Sequence, residues 1–274
     1  MEKILYPLAL IVCKMSISTY MRNIALLFLI SATITAEESL PKFGFKDQLI
    51  APLRIHLMET KGELNLTTTL TEKDIHRILS KVNNIWAQAG VHFALESIVH
   101  EPAENPNAYR QNYQSRQLRW LLALRPENSL SNDCFHIYYI KRFGVNGVFL
   151  ASDGMFVKDL ARLRTIKGGL DEPIPRVTAH ELGHALSLRH RQHVTNLLAS
   201  GTTGWSLNFA EVKQARKATE NYNWIYSAPV LLKVADDYYT KGKKKKAASI
   251  YSQLASIPLD CPAVKKAKKR LKPE

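Results

Sequence analysis

The chain has 274 residues, 46% of them hydrophobic, and carries 38 Lys and Arg against 24 Asp and Glu, a formal charge of +14. That length and apolar content suffice to bury one good core plus a small appendage. Nucleic acid is not an expected partner, because no recognisable binding motif accompanies the positive charge.

In chain order, Met21-Arg22-Asn23, the apolar run 24–34 and Thr35-Ala36-Glu37 read as a signal peptide with a positive start and a small residue at the cut. The expected leader is 1–36, with Met21 as a candidate start, and the mature protein is expected to be secreted, periplasmic or extracellular. The run is shorter than the roughly 20 residues a membrane span needs, so no transmembrane span is expected in the mature chain. Cys13 would leave with the leader. Cys134 and Cys261 remain, and two cysteines alone do not establish a bridge.

Residues 53–57 alternate apolar and polar and predict a first strand. Thr71, with Asp74 three residues on, looks like a helix N-cap. It opens a helix whose Ile75, Ile78, Leu79, Val82, Ile85, Trp86 and Ala89 recur at helical spacing, with Gly90 as its stop. Residues 91–99 should be the next strand, and 108–124 a helix ended by Pro126. Residues 135–140 read as a buried strand, and Gly147-Val148-Phe149-Leu150-Ala151 as another. Asp171-Glu172-Pro173-Ile174-Pro175 reads as a rigid linker, with Pro175 near the first position of the following helix.

Residues 180–190 read His-Glu-Leu-Gly-His-Ala-Leu-Ser-Leu-Arg-His. On a helix, His180 and His184 project from one face a turn apart. Two imidazoles at that separation can grip one Zn2+, and Glu181 can reach a metal-bound water without being a ligand. His190 offers a third nitrogen once the chain has left the helix. Three ligands leave one tetrahedral position open for water, which separates a catalytic zinc site from a closed structural one. His193 is an alternative third ligand, and so is Glu211 on a further helix expected over 208–219.

This stretch resembles the extended metzincin motif H-E-x-x-H-x-x-G-x-x-H, with Ser187 where the family has glycine. The resemblance implies an α+β fold: a metzincin-like zincin domain of mixed twisted sheet plus active-site helix over 37–222. It implies a zinc endopeptidase with Glu181 as general base and a protein or peptide substrate. Gly147, Val148, Phe149, Leu150 and Ala151 would form the rim of the cleft, where an extended peptide adds to a sheet edge. Ser187 would have to adopt the left-handed conformation at a cost of roughly 1–2 kcal/mol. Residues 196–201 look like the family's methionine turn beneath the zinc, with Leu198 in the methionine's place. Such volume-conserving swaps usually cost under about 1.5 kcal/mol. A ligand at Glu211 would instead resemble the thermolysin-like zincins.

The last segment, 223–274, differs in character. Tyr238-Tyr239, Gly242, Ala247, Tyr251 and Leu254 resemble one tetratricopeptide-like helical hairpin, and a helix over 262–271 follows. Tyr239, Ala247, Tyr251 and Leu254 should share an apolar face. One repeat cannot bury such a face alone, so the hairpin must dock on the rest of the chain, another copy or a partner. From 241 onward eleven Lys and Arg face two acids, which favours an anionic surface or a protein partner through 238–272. The expected function is exported zinc-dependent proteolysis. The alternative is an inactive zinc-binding relative acting as an adaptor through its helical tail.

Overall fold

Ten residues, Leu49–Met58, form strand β1, which extends the expected strand at both ends. It lengthens because it is interior, pairing in parallel with β2 (Val91–Glu101) on one side and β3 (Phe135–Ile140) on the other. Leu53, Ile55 and Leu57 enter the main core. Its other face is covered too, so His56 and Met58 are also fully buried, as expected for a parallel strand inside a sheet. The computed structural model describes residues 45, 47–258 and 261–271. The leader expected over 1–36 lies outside these residues.

The sheet order is β2-β1-β3-β5-β4, with β4 at Gly147–Ala151 and β5 at Gly154–Lys158. β4 runs antiparallel to β5 and forms one edge, which makes the sheet mixed. A two-residue strand β6 (Tyr226–Ser227) pairs antiparallel with the start of β1. Helix α1 (Glu72–Trp86) starts at a capping box in which Thr71 and Asp74 exchange hydrogen bonds. Its stripe from Ile75 to Trp86 is buried in the main core. Trp86 Nε1 donates to the Ala179 carbonyl at 3.2 Å, which fastens α1 to the helix carrying the histidines. These elements make an α+β fold.

Two local expectations are corrected. The single helix expected over 108–124 is broken: α2 covers Pro106–Asn112, and a 3-10 segment covers Leu118–Leu124. Between them Ser115 Oγ accepts from the Gln117 N–H, a local bond that competes with helix continuation. A 3-10 helix has three residues per turn, so Leu118, Leu121 and Leu124 fall on one face, and the last two are fully buried. The expected linker 171–175 is partly helix, because α3 spans Pro173–Ala185. Pro173 and Pro175 sit in its first turn, where an amide hydrogen would have no intrahelical partner.

Beyond α4 (Phe209–Ala218), the chain forms α5 (Ala228–Thr240), α6 (Lys244–Ser256) and α7 (Pro262–Arg270). Their apolar faces meet in a second core that also contains Ile50 of β1 and Ala94 of β2, so the hairpin docks on the sheet of its own chain. Tyr239 does not share the face of Ala247, Tyr251 and Leu254. It is exposed, and Leu231 and Ala235 fill that side instead. Cys134 is buried, Cys261 is partly buried, and both are free thiols. Among the described residues no helix is long and apolar enough to cross a membrane.

Candidate metal centre

Helix α3 buries most of its residues and presents His180 and His184 toward a common point. Its end is a Schellman motif: Leu188 N–H donates to Gly183 O at 2.9 Å and Ser187 N–H to His184 O at 3.0 Å. Ser187 takes the left-handed conformation, with φ 63°, and is the one described non-glycine residue to do so. That turn carries the chain back and brings His190 to the other two rings. The three Nε2 atoms form a near-equilateral triangle with sides of 3.1, 3.2 and 3.2 Å. Nitrogens bound to one tetrahedral zinc at about 2.0–2.1 Å lie roughly 3.3 Å apart, so the donor set fits that ion.

Because Ser187 holds a strained conformation, Ser187→Gly is expected to stabilise the protein by about 0.5–1 kcal/mol. Relief of the Cβ clash exceeds the extra backbone entropy that glycine loses on folding. A Tm of Ser187→Gly equal to or below that of the parent would contradict this.

The opposite ring nitrogens are also held. His180 Nδ1–H donates to Leu197 O at 2.8 Å, and His184 Nδ1–H to Leu188 O at 2.8 Å. These bonds fix the tautomer that leaves each Nε2 lone pair free for a metal. Burial, and then the Arg176 charge, push His180 down to about 3, and burial also lowers His184. Both rings are therefore neutral near pH 7.

Sequence patterns left out the groups that hold the loop beneath the histidines. Arg176, one turn before His180, is buried and donates to the carbonyls of Gly204, Ala199 and Asn196. Asn196 Oδ1 accepts from Leu198 N–H at 2.7 Å, and its amide donates to Glu211 at 2.7 Å. Glu211 is fully buried, caps its own helix through Asn208 N–H and pairs with Arg191 at 2.7 Å. Its carboxylate is thus occupied away from the triangle. His193 is exposed and bonds to Thr195 Oγ1. Leu198 is fully buried, with its methyls against Gly183 of α3. The one available sequence signal for Arg176 was its i−4 spacing from His180.

Glu181 is 4% exposed, and β4 crosses directly over it. A Cβ at Gly147 would lie 2.5 Å from Val177 Cγ1 and 2.7 Å from Glu181 Oε1, so that position has room only for glycine. Burial pushes the Glu181 carboxyl up to about 8, against the opposing pull of Arg176 and of the Phe149 backbone. The three histidines, Glu181 and residues 147–149 of β4 line one open cleft of about 790 Å³. Leu150 and Ala151 continue the strand away from that lining.

No protein-family model matches the chain, and no curated protein does. Among solved structures, mirolysin in complex with compound 9 is similar with 11% identity and a TM-score of 0.41, over 64% of this chain and 92% of that one. Metalloproteinase-II from Bacteroides fragilis is similar with 13% identity and a TM-score of 0.33, over 62% of this chain. The chain spans about half the length of that second protein, 53%.

Proposed function

We propose that the chain is an exported zinc-dependent endopeptidase in which His180, His184 and His190 hold Zn2+ and Glu181 is the general base. The observation that carries this reading is the triangle of three Nε2 atoms with a buried carboxyl on the adjoining residue, inside an open cleft. A structural zinc site has no use for such a base. When bound, zinc polarises a scissile carbonyl and lowers the pKa of a coordinated water toward about 7. A neighbouring cation favours the ionised carboxylate over the protonated form that burial alone favours. In the metal-loaded site Glu181 would therefore take the proton from the attacking water and pass it to the departing amine.

The free edge of β4 offers main-chain donors and acceptors to an extended peptide, which orients the scissile bond over the histidines. The leader 1–36 directs export. The basic tail, 238–272, adds long-range attraction to an anionic surface or protein partner. Metal analysis of the purified protein, with casein or peptide-library cleavage with and without chelator, tests the reading. One zinc per chain and chelator-sensitive cleavage are expected. Stoichiometric zinc without any cleavage would favour the inactive adaptor, and absence of zinc binding would remove both readings.

A further inference from the structure

The cleft that holds the histidine triangle contains one carboxylate, Glu181, and two guanidinium groups, Arg176 and Arg189. Arg176 is 2% exposed and is compensated by main-chain carbonyls, and among the described residues no ion pair joins it to a carboxylate. Arg189 is exposed at the lip. A wall of the cleft is formed by Leu163, whose chain neighbours Arg162 and Arg164 are both exposed.

That wall is fixed in place. Asn146, which also lines the cleft, binds both backbone groups of Arg162, at 2.7 and 3.1 Å. Arg164 N–H donates to Gly201 O at 2.9 Å, and Thr203 N–H to Arg164 O at 3.1 Å. Acids on the surrounding segments are already engaged. Asp159 accepts from Thr68 and Thr69, Asp153 pairs with Arg125, and Glu211 pairs with Arg191. Among the described residues, none of Arg162, Arg164 and Arg189 has an ion-pair partner.

We infer that the cleft selects acidic peptides, with Asp or Glu flanking the scissile bond, through the positive field of Arg176 and Arg189 in its lining, reinforced by Arg162 and Arg164 on either side of Leu163. This rests on the peptidase reading of the same site and adds its substrate class. Low-dielectric walls focus the field of like charges into a cleft and raise the local concentration of oppositely charged ligands by about 10–10³-fold. A peptide carboxylate entering here also supplies a counter-charge to Arg189, which lines the cleft, is exposed and has no ion-pair partner among the described residues.

The test uses three peptides that differ only in the residues flanking the cleavable bond: acidic, neutral or basic. At low salt kcat/KM for the acidic peptide should exceed that for the basic one by at least roughly tenfold. The ratio should shrink toward 1 M salt, where the Debye length falls to about 3 Å. Arg164→Glu combined with Arg189→Glu should lower the ratio further. Equal values for all three peptides, or preference for the basic one, would overturn the inference. Fluorescence anisotropy of the same peptides on zinc-loaded Glu181→Gln gives a readout that needs no turnover. If the parent protein cleaves none of the peptides, the peptidase reading falls. The order of binding still decides the charge preference: tighter acidic binding upholds it, and any other order defeats it.

Discussion

Replacing Glu181 by glutamine is expected to leave zinc bound and to lower peptide cleavage by about 10²–10⁴-fold, the range of general-base contributions. Glutamine keeps the size and shape that fit beneath Gly147, so the histidine triangle should be undisturbed. Near-normal turnover with zinc retained would sink the mechanism. The same substitution has a second consequence in metal-free protein. Burial raises the Glu181 carboxyl from 4.5 to about 8, so its favourable contribution is full below about pH 4.5 and is lost as pH rises through 8. Glutamine does not titrate. In chelator, the Tm of Glu181→Gln relative to the parent should therefore rise between pH 4 and pH 9, by an equivalent of up to a few kcal/mol. A difference that stays flat across that range would show that Glu181 is not held in the buried state described.

His190→Ala is expected to weaken zinc binding by more than about 100-fold, beyond the 10–100-fold typical of losing a group that merely orients a ligand. It removes one corner of the triangle and opens the site to water. His193→Ala should keep stoichiometric zinc, because His193 is exposed and bonded to Thr195. Glu211→Ala should act on stability instead, costing about 1–3 kcal/mol as the buried Asn196 amide loses its acceptor. Zinc titration and thermal melts on the three variants separate these effects. Loss of zinc from folded Glu211→Ala, with zinc retained by His190→Ala, would reassign the third ligand to the glutamate.

The capping box at Thr71, the buried stripe from Ile75 to Trp86 and strand 135–140 were legible because each is a local pattern with one dominant period. The break after Asn112 was not. Residues 108–124 carry apolar positions that suit either an α-helix or a 3-10 segment, and packing of Leu121 and Leu124 chose between them. The start of α3 lies two residues earlier than expected for a related reason: Pro173 read as linker and Pro175 as the first helical position, while both fit a first turn.

By itself, the sequence determined that His180 and His184 share a helix face with Glu181 beside them, since one helical turn places these groups. Which of His190, His193 and Glu211 joins them was decided by the reversal at Ser187 and by the partners that occupy Glu211 and His193. Tertiary structure alone decided what surrounds them. The loop bonds of Arg176, Asn196 and Glu211 join segments up to 28 residues apart, and Gly147 meets Glu181 only because β4 ends the sheet above α3. That Arg189 at the cleft, and Arg162 and Arg164 beside it, have no ion-pair partner among the described residues is likewise visible only once the acids of neighbouring segments are seen to be paired elsewhere. Periodicity reports which face a residue takes within its own element. Which elements meet, and which charges they leave over, depends on long-range packing that no local pattern encodes.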